Sequence, residues 1–148
     1  MAWFVAFLVL DGGLAQLTGW RFLLFPPLVV IGFEMFAHPV ACPWAGRPLM
    51  LPVACTLSAL TGLLVVQTLG AGPLAAIGSI AVAVLVLGVL DLHVPPALAV
   101  GLLPMVIAQP DHRFPVAVAL GALMLTTSFL FWRRICALRL AASSAAPD

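Results

Sequence analysis

Six apolar stretches run almost end to end along this chain and leave little sequence for anything else. They cover residues 3–20, 22–37, 52–69, 74–90, 95–108 and 115–132. A helix needs roughly 20 apolar residues to cross the hydrocarbon core of a bilayer, and most of these stretches come close to that length. The sequence therefore predicts an all-α, polytopic transmembrane protein. We expect a single transmembrane domain over residues 1–140 and a flexible tail over residues 141–148.

Charged residues are too few to cover a surface that faces water. They make up 7% of the 148 residues, whereas 64% are apolar. Soluble domains carry about 25% charged residues. Six arginines stand against five acidic residues, so the chain offers no basic surface to nucleic acid. These numbers exclude a typical soluble domain, a disordered chain and a nucleic-acid-binding protein, and they make the lipid bilayer the expected partner.

Two proline pairs, Pro26-Pro27 and Pro95-Pro96, each open a short apolar segment. Proline has no N–H and clashes with a helix that continues through it, but the first turn of a new helix tolerates it. Each pair therefore predicts a short helix that begins inside or near the membrane. At about 1.5 Å per residue, the segment 95–108 would be about 21 Å long, which is short of the roughly 30 Å hydrocarbon core.

The same order of segments occurs twice along the chain. A long helix, a Pro-Pro segment, a loop with a further proline and a helix that begins with proline follow one another in each half. Residues 52–60 and 115–123 share six of nine positions at an offset of 63 residues, and the proline pairs recur at an offset of 69. We interpret this as a duplication, with halves of about 1–70 and 71–140. Three membrane segments per half would make the repeats inverted.

Arginine positions favour one topology. With six crossings, one side of the membrane holds Arg47, Arg133, Arg134 and Arg139, and the other holds Arg21 and Arg113. The positive-inside rule then places both termini in the cytoplasm, and we expect the inner (plasma) membrane of a bacterium. Re-entrant Pro-Pro segments would instead give four crossings and an even split of arginines. So small a protein does not readily enclose a pathway alone, so we expect a homo-oligomer.

The segment 92–97, Leu-His-Val-Pro-Pro-Ala, resembles the signature of the HPP family, small integral membrane proteins named for a His-Pro-Pro motif. Its place between a long and a short helix, the Gly46-Arg47-Pro48 loop and the helix that follows are also similar to that family. Here Val94 separates the histidine from the prolines. Members of the family have been linked to nitrite transport across chloroplast and cyanobacterial membranes. The resemblance implies a carrier of a small anion.

The helix starts after the proline pairs are the first candidate site. At Leu28 and Ala97 we expect unpaired backbone N–H groups and the positive end of a helix dipole. Such helix ends bind anions without lysine or arginine. The predicted substrate site, for nitrite or a similar monovalent anion, therefore includes Pro26, Pro27, Leu28, Pro95, Pro96 and Ala97. The alternative is a packing kink in which neighbouring carbonyls accept these donors.

Two basic side chains are candidates at the mouth of the path. A histidine side chain can carry a positive charge, so His93 could pair with Asp91 or with the anion, or it could simply cap a helix. Arg47 could attract or gate an anion, or it could anchor the topology.

Two carboxylates lie within apolar stretches, Asp11 and Glu34. A charge at mid-membrane costs at least about 2.5–3.5 kcal/mol. We therefore predict proton coupling or gating for Asp11 and Glu34, together with Asp91. The alternative for Glu34 is an interfacial carboxylate beside His38, four residues on.

No catalytic constellation or metal-ligand spacing stands out, and the three cysteines form no CxxC motif. We expect no enzymatic activity, no cofactor and no metal. The predicted function is a transporter or channel for a small monovalent anion. Two alternatives stay open: a non-transport membrane subunit or assembly partner, and a carrier of another small solute such as a cation or a weak acid.

Overall fold

The structure, a computed structural model, describes residues 2–20, 22–107 and 109–144. Every regular element in these ranges is a helix, which confirms the all-α class. The helices are α1 (Ala2–Thr18), α2 (Pro26–Ala37), α3 (Pro43–Gly46), α4 (Met50–Leu69), α5 (Pro73–Val89), α6 (Pro95–Leu102) and α7 (Arg113–Ser144). A 3₁₀ turn, Leu103–Met105, extends α6.

Proline sets where several helices begin. It occupies the first turn of α2, α3, α5 and α6, where its missing N–H costs no hydrogen bond. The two short helices begin at the predicted proline pairs. However, α6 is shorter than the predicted segment 95–108, because its α-helical part ends at Leu102, two residues before Pro104.

The last helix is longer than the sequence indicated. The final apolar stretch was expected to end at Arg133-Arg134, but α7 continues to Ser144. The backbone of residues 141–144, which belong to the predicted flexible tail, is helical. Residues 145–148 and Arg21, which was counted in the topology, lie outside the described residues.

One end of the bundle, which we call the arginine end, gathers elements that lie far apart in the sequence. Near the start of α1, the Trp3 Nε1–H donates to Ser128 Oγ at 3.2 Å. Near the end of α2, Phe36 packs edge-on against Phe129. Arg133 Nη1 donates to the Ala45 carbonyl in α3 at 3.3 Å. The opposite, far end brings the end of α1 next to Asp111 and the start of α7.

Helices α4 and α7 form the centre, and they bury the same pattern of positions. On α4 the buried residues are Leu51, Pro52, Ala54, Cys55, Ser58, Ala59, Gly62, Leu63 and Val66. Over residues 114–129 of α7 they are Phe114, Pro115, Ala117, Val118, Gly121, Ala122, Leu125, Thr126 and Phe129. Each residue of the second set lies 63 positions after its counterpart in the first. This is the offset at which the sequence predicted a repeat.

The short helices show the corresponding pattern at an offset of 69. On α2 the buried residues are Pro27, Leu28, Ile31, Gly32, Met35 and Phe36; the counterparts of Pro27 and Phe36, which are Pro96 and Met105, are half-buried. On α6 and its 3₁₀ extension the buried residues are Ala97, Val100, Gly101 and Pro104. Both helices therefore turn equivalent faces towards the core.

The central helices run in opposite directions. Pro48, just before α4, accepts a hydrogen bond from Thr126 Oγ1 at 3.3 Å. Most of the buried positions of α7 precede Thr126 along the chain. Because α4 begins next to Thr126 and packs against these positions, it runs towards the start of α7. Helix α5 returns after the turn at residues 70–72, and α6 leads back towards the far end, where α7 begins. Apart from the small α3, each helix thus leads from one end of the bundle to, or towards, the other.

Two helices, Met50–Leu69 and Arg113–Arg139, are long and apolar enough to cross a membrane. Within each apolar window, 50% of the residues are buried inside the bundle, so the rest present a largely apolar surface outwards. The other apolar helices, Ala2–Thr18, Pro26–Ala37, Pro73–Val89 and Pro95–Met105, are shorter.

Candidate functional site: the groove between two helix starts

The two Pro-Pro helix starts face one shallow, open groove, which we call the proline groove. Its volume is about 520 Å³, and it is lined by Pro26, Pro27, Val30, Pro95, Pro96 and Ala99. Every residue that α2 contributes has its counterpart, 69 positions later, on α6. The structure thus brings together two segments that lie far apart in the sequence and that the sequence predicted to form a common site.

The electrostatics of the groove come from helix ends. The lining prolines occupy the first turns of α2 and α6, so both helices begin beside the groove. Each N-terminus carries roughly half a positive elementary charge. The lining itself is almost entirely apolar. The groove therefore combines positive potential with walls that do not hydrogen-bond.

The backbone donors predicted at these helix starts are already engaged. Leu28 N–H donates to the Phe25 carbonyl at 2.9 Å, and Ala97 N–H donates to the Val94 carbonyl at 2.9 Å. The prolines before them have no N–H, and Leu28 and Ala97 are fully buried. The expectation of unpaired N–H groups there is wrong. In each first turn the two prolines supply no N–H donor, and the N–H of the following residue is used in a local turn.

His93 lies beside the groove rather than in it. Its Nδ1 is 3.6 Å from Asp91 Oδ1, and both side chains are 83% exposed. Asp91 adopts a left-handed backbone conformation with φ of 53°, which ends α5 and turns the chain towards Pro95. His93 and Pro95 also line a separate cavity of about 210 Å³ beside α5. The predicted pairing of His93 with Asp91 is present, at the outer surface.

Glu34 and Arg47 lie at the arginine end and do not line the groove. Glu34 Oε2 is 3.3 Å from His38 Nδ1, one helical turn further on, and both side chains are substantially exposed. This is the interfacial pairing given as the alternative for Glu34. Arg47 is exposed after α3, and its carbonyl accepts the Met50 N–H at the start of α4.

Asp11 is the most unusual polar residue in the described bundle. Its side chain is 0% exposed, on the face of α1 that also buries Phe4, Phe7 and Ala15. Neither carboxyl oxygen has a hydrogen-bond partner among the described residues. An isolated charge costs many kcal/mol to bury unless it is paired, so Asp11 is not an ordinary packing residue.

A tight crossing of small residues lies beside the groove. Helix α6 passes α4 at Gly101 and Gly62, where backbone touches backbone. Ser79 Oγ on α5 donates to the Gly101 carbonyl at 2.8 Å. The Ser58 hydroxyl is also buried there, with no hydrogen-bond partner among the described residues. The small residues at 58 and 62, one turn apart, are the sequence signal that could have located this crossing.

No group of three His, Cys, Asp or Glu side chains in the described part of the chain is arranged to hold a metal ion. No protein-family model, no curated protein and no solved structure matches this chain. The resemblance to the HPP family therefore depends on the segment around His93 and on the order of the helices, and its functional implication is a proposal.

Proposed function

We propose that the chain is an integral membrane protein with six crossings, formed by two inverted halves of three helices each. The buried positions of α4 and α7, offset by 63 residues, support two related halves. Large apolar side chains that face outwards, such as Val9, Leu85 and Leu120, support contact with lipid. Arg47, Arg133, Arg134 and Arg139 at one end support cytoplasmic termini, and a bacterial inner membrane suits this arrangement.

Within this framework, the protein passes a small monovalent anion such as nitrite. One observation carries the proposal: the first turns of α2 and α6, where each helix dipole is positive, both line the proline groove. Broken helices from two inverted halves commonly present their ends to a substrate in this way. The resemblance of residues 92–97 to the HPP family points to the same substrate class.

The lack of free hydrogen-bond donors in the groove determines how tightly the anion would bind there. Conduction requires binding that is favourable enough for the ion to enter and weak enough for it to leave. Helix dipoles supply attraction, whereas hydrogen-bond donors that would hold the ion tightly are absent from the described lining. This arrangement suits fast passage better than tight binding. His93 and Arg47 would raise the anion concentration near the groove, and Asp11 would link the passage to protons.

Anion flux into proteoliposomes tests the proposal. We expect saturable nitrite uptake above that of empty liposomes, with nitrate, formate and chloride compared at two pH values. Replacing Pro95 and Pro96 with alanine should abolish the flux while the protein still inserts, because each alanine removes a ring that lines the groove and adds a backbone N–H donor that would hold the ion. Pro73→Ala is the matched control, since Pro73 also begins a helix but does not line the groove; it should keep the flux. Normal nitrite flux in the Pro95/Pro96 variant would refute the assignment of the groove.

A second candidate, a carrier of a cation or a weak acid, is favoured by Asp11 alone. It predicts solute uptake that Asp11→Asn abolishes and that the Pro95/Pro96 variant retains. Absence of flux for every solute tested would instead favour a non-transport subunit, and a pull-down from native membranes would then identify its partner. Crosslinking in the same membranes measures the expected homo-oligomer.

A further inference from the structure

The charges of the bundle are distributed unevenly between its two ends. Four of the five arginines that the structure describes lie at the arginine end: Arg47, Arg133, Arg134 and Arg139. The described carboxylates on that side have histidine partners, Glu34 with His38 and Asp91 with His93. At the far end, Arg113 pairs with Asp111 at 4.0 Å. The arginine end therefore carries a cationic surface that its own acidic residues do not neutralise.

Within this surface, Arg133 borders a cavity of about 480 Å³ against the loop that precedes α4. Its Nη1 donates to the Ala45 carbonyl at 3.3 Å, which holds the side chain against the loop. A guanidinium has five N–H donors, and this bond uses one of them. No carboxylate among the described residues pairs with Arg133. The group is thus positioned, and most of its hydrogen-bonding capacity is unused.

The cavity wall suits an anionic ligand. Pro39 and Pro43 restrict the loop backbone, and Cys42 lies between them on the same wall. Burial raises the pKa of the Cys42 thiol, so at neutral pH the wall presents an uncharged thiol that does not repel an anion. The planar fork of an arginine matches the oxygen atoms of a phosphate group and can bind two of them at once.

The position of the cavity indicates where its ligand comes from. Trp44 is buried beside the loop, and Trp132, which precedes Arg133, is half-buried against Phe36 and Phe129. Tryptophans of membrane proteins concentrate at the level of the lipid headgroups. Basic pockets between helices on the cytoplasmic side bind anionic headgroups. In the membrane placement proposed above, Arg133 lies at headgroup depth, and it does not line the proline groove.

We propose that Arg133 and the loop of residues 39–46 bind the phosphate group of an anionic phospholipid. This site is separate from the proline groove, and the inference depends on the membrane placement but not on nitrite as substrate. Lipid bound there would bridge α7 and the loop before α4, two elements that the Arg133–Ala45 hydrogen bond already connects.

Native mass spectrometry of the full chain tests this site. Protein reconstituted in an equal mixture of phosphatidylglycerol and phosphatidylcholine should retain phosphatidylglycerol preferentially. Arg133→Gln should lower its retention by about tenfold, and Arg113→Gln at the far end should leave it unchanged. Arg133→Lys, which keeps the charge but loses the planar fork, should give an intermediate value and also serves if the glutamine variant does not fold. Equal retention of the two lipids by the unaltered protein, or undiminished retention by Arg133→Lys and Arg133→Gln, would overturn the proposal.

Two further measurements distinguish a lipid from a soluble phosphate ligand, and failure of the lipid proposal from failure of the transport proposal. Excess inorganic phosphate should not displace the lipid; displacement, with phosphate bound in its place, would assign the site to a soluble ligand and overturn the lipid proposal. Nitrite flux in vesicles of phosphatidylcholine alone is measured in parallel. Lipid retention without flux would refute only the transport proposal, whereas flux without lipid preference would refute only the Arg133 site.

Discussion

The two short helices begin in the same way but cross the rest of the bundle differently. Helix α6 meets α4 backbone to backbone, so that a methyl group at Gly62 would overlap the Gly101 carbonyl. Helix α2 meets α1 and α7 through side chains: a Cβ atom at Gly32, the counterpart of Gly101, would lie 2.5 Å from the Phe4 ring and 3.1 Å from Leu125. Gly62 on α4 and Leu125 on α7 occupy equivalent positions, 63 residues apart.

This difference shows that two helices that begin alike can be held with different stiffness. Backbone contacts cannot yield without moving a whole helix, whereas rotation of an aromatic ring can absorb a change. Helix α1 is also held more loosely than α5, since a groove of about 580 Å³ lies between α1 and α7. The chain that leads into α2 is fixed to α7 by a similar backbone contact, since a Cβ atom at Gly121 would overlap the Leu23 carbonyl. If one part of the bundle moves during function, α1 is therefore the part that can do so. Asp11 lies on α1, where such a movement would change its surroundings.

The largest expected effect is at the rigid crossing. Gly62→Ala should destabilise the protein by about 3 kcal/mol or more, because the obstructing atom belongs to a backbone carbonyl. Gly78→Ala on α5 is the matched control, since its Cβ would make an ordinary 3.6 Å contact with Val65; it should be neutral or stabilising by up to about 1 kcal/mol. Thermal unfolding in detergent measures both. Equal stability of the two variants would show that the crossing is not rigid.

The adaptable crossing should respond less. Gly32→Ala should cost about 1–2 kcal/mol, and a smaller side chain at Phe4 should relieve part of that cost. A double-mutant cycle with Phe4→Leu should therefore show a favourable coupling of about 1 kcal/mol. Strict additivity would mean that Phe4 does not control the space at Gly32.

The next largest effect on stability is expected from a single hydrogen bond. Ser79→Ala removes the buried donor to the Gly101 carbonyl and should cost about 1 kcal/mol. Ser128→Ala, which removes the part-buried acceptor of the Trp3 N–H that anchors α1, is the comparison variant and should cost less. Chemical denaturation of both variants tests whether the crossing of α4 and α6 depends more on its hydrogen bond than α1 does on the bond to Ser128. A larger loss of stability in Ser128→Ala than in Ser79→Ala would contradict the comparison.

The smallest effect concerns the anchor of α1. Trp3→Phe keeps an aromatic ring near Phe131, whose ring centroid is 5.7 Å away, but loses the hydrogen bond to Ser128. We expect a loss of about 0.5 kcal/mol and faster hydrogen exchange along α1. Unchanged exchange in α1 would mean that packing alone anchors this helix.

The sequence was a good guide to the helices and a poor one to the hydrogen bonds. Proline pairs located the starts of α2 and α6, because proline restricts the local backbone wherever it occurs. The offset of 63 residues was visible in residues 52–60 and 115–123, and it recurs in the buried faces of α4 and α7. The sequence left open whether the N–H groups of Leu28 and Ala97 are free or are accepted by neighbouring carbonyls, since the outcome depends on the conformation of the residues before each proline pair; the structure has the second arrangement. The length of α7 was also missed, because two arginines suggest a membrane boundary but do not end a helix.

The four prolines of the groove have a further consequence. A pyrrolidine ring has almost no torsional freedom, so two-thirds of the residues that line the groove lose little conformational entropy when a ligand settles against them. The shape of the groove walls is fixed before a ligand binds, which lowers the entropic cost of association. The same rigidity prevents the walls from closing around a smaller ion. Selection at this surface would therefore depend on the size and hydration of the ion rather than on induced fit.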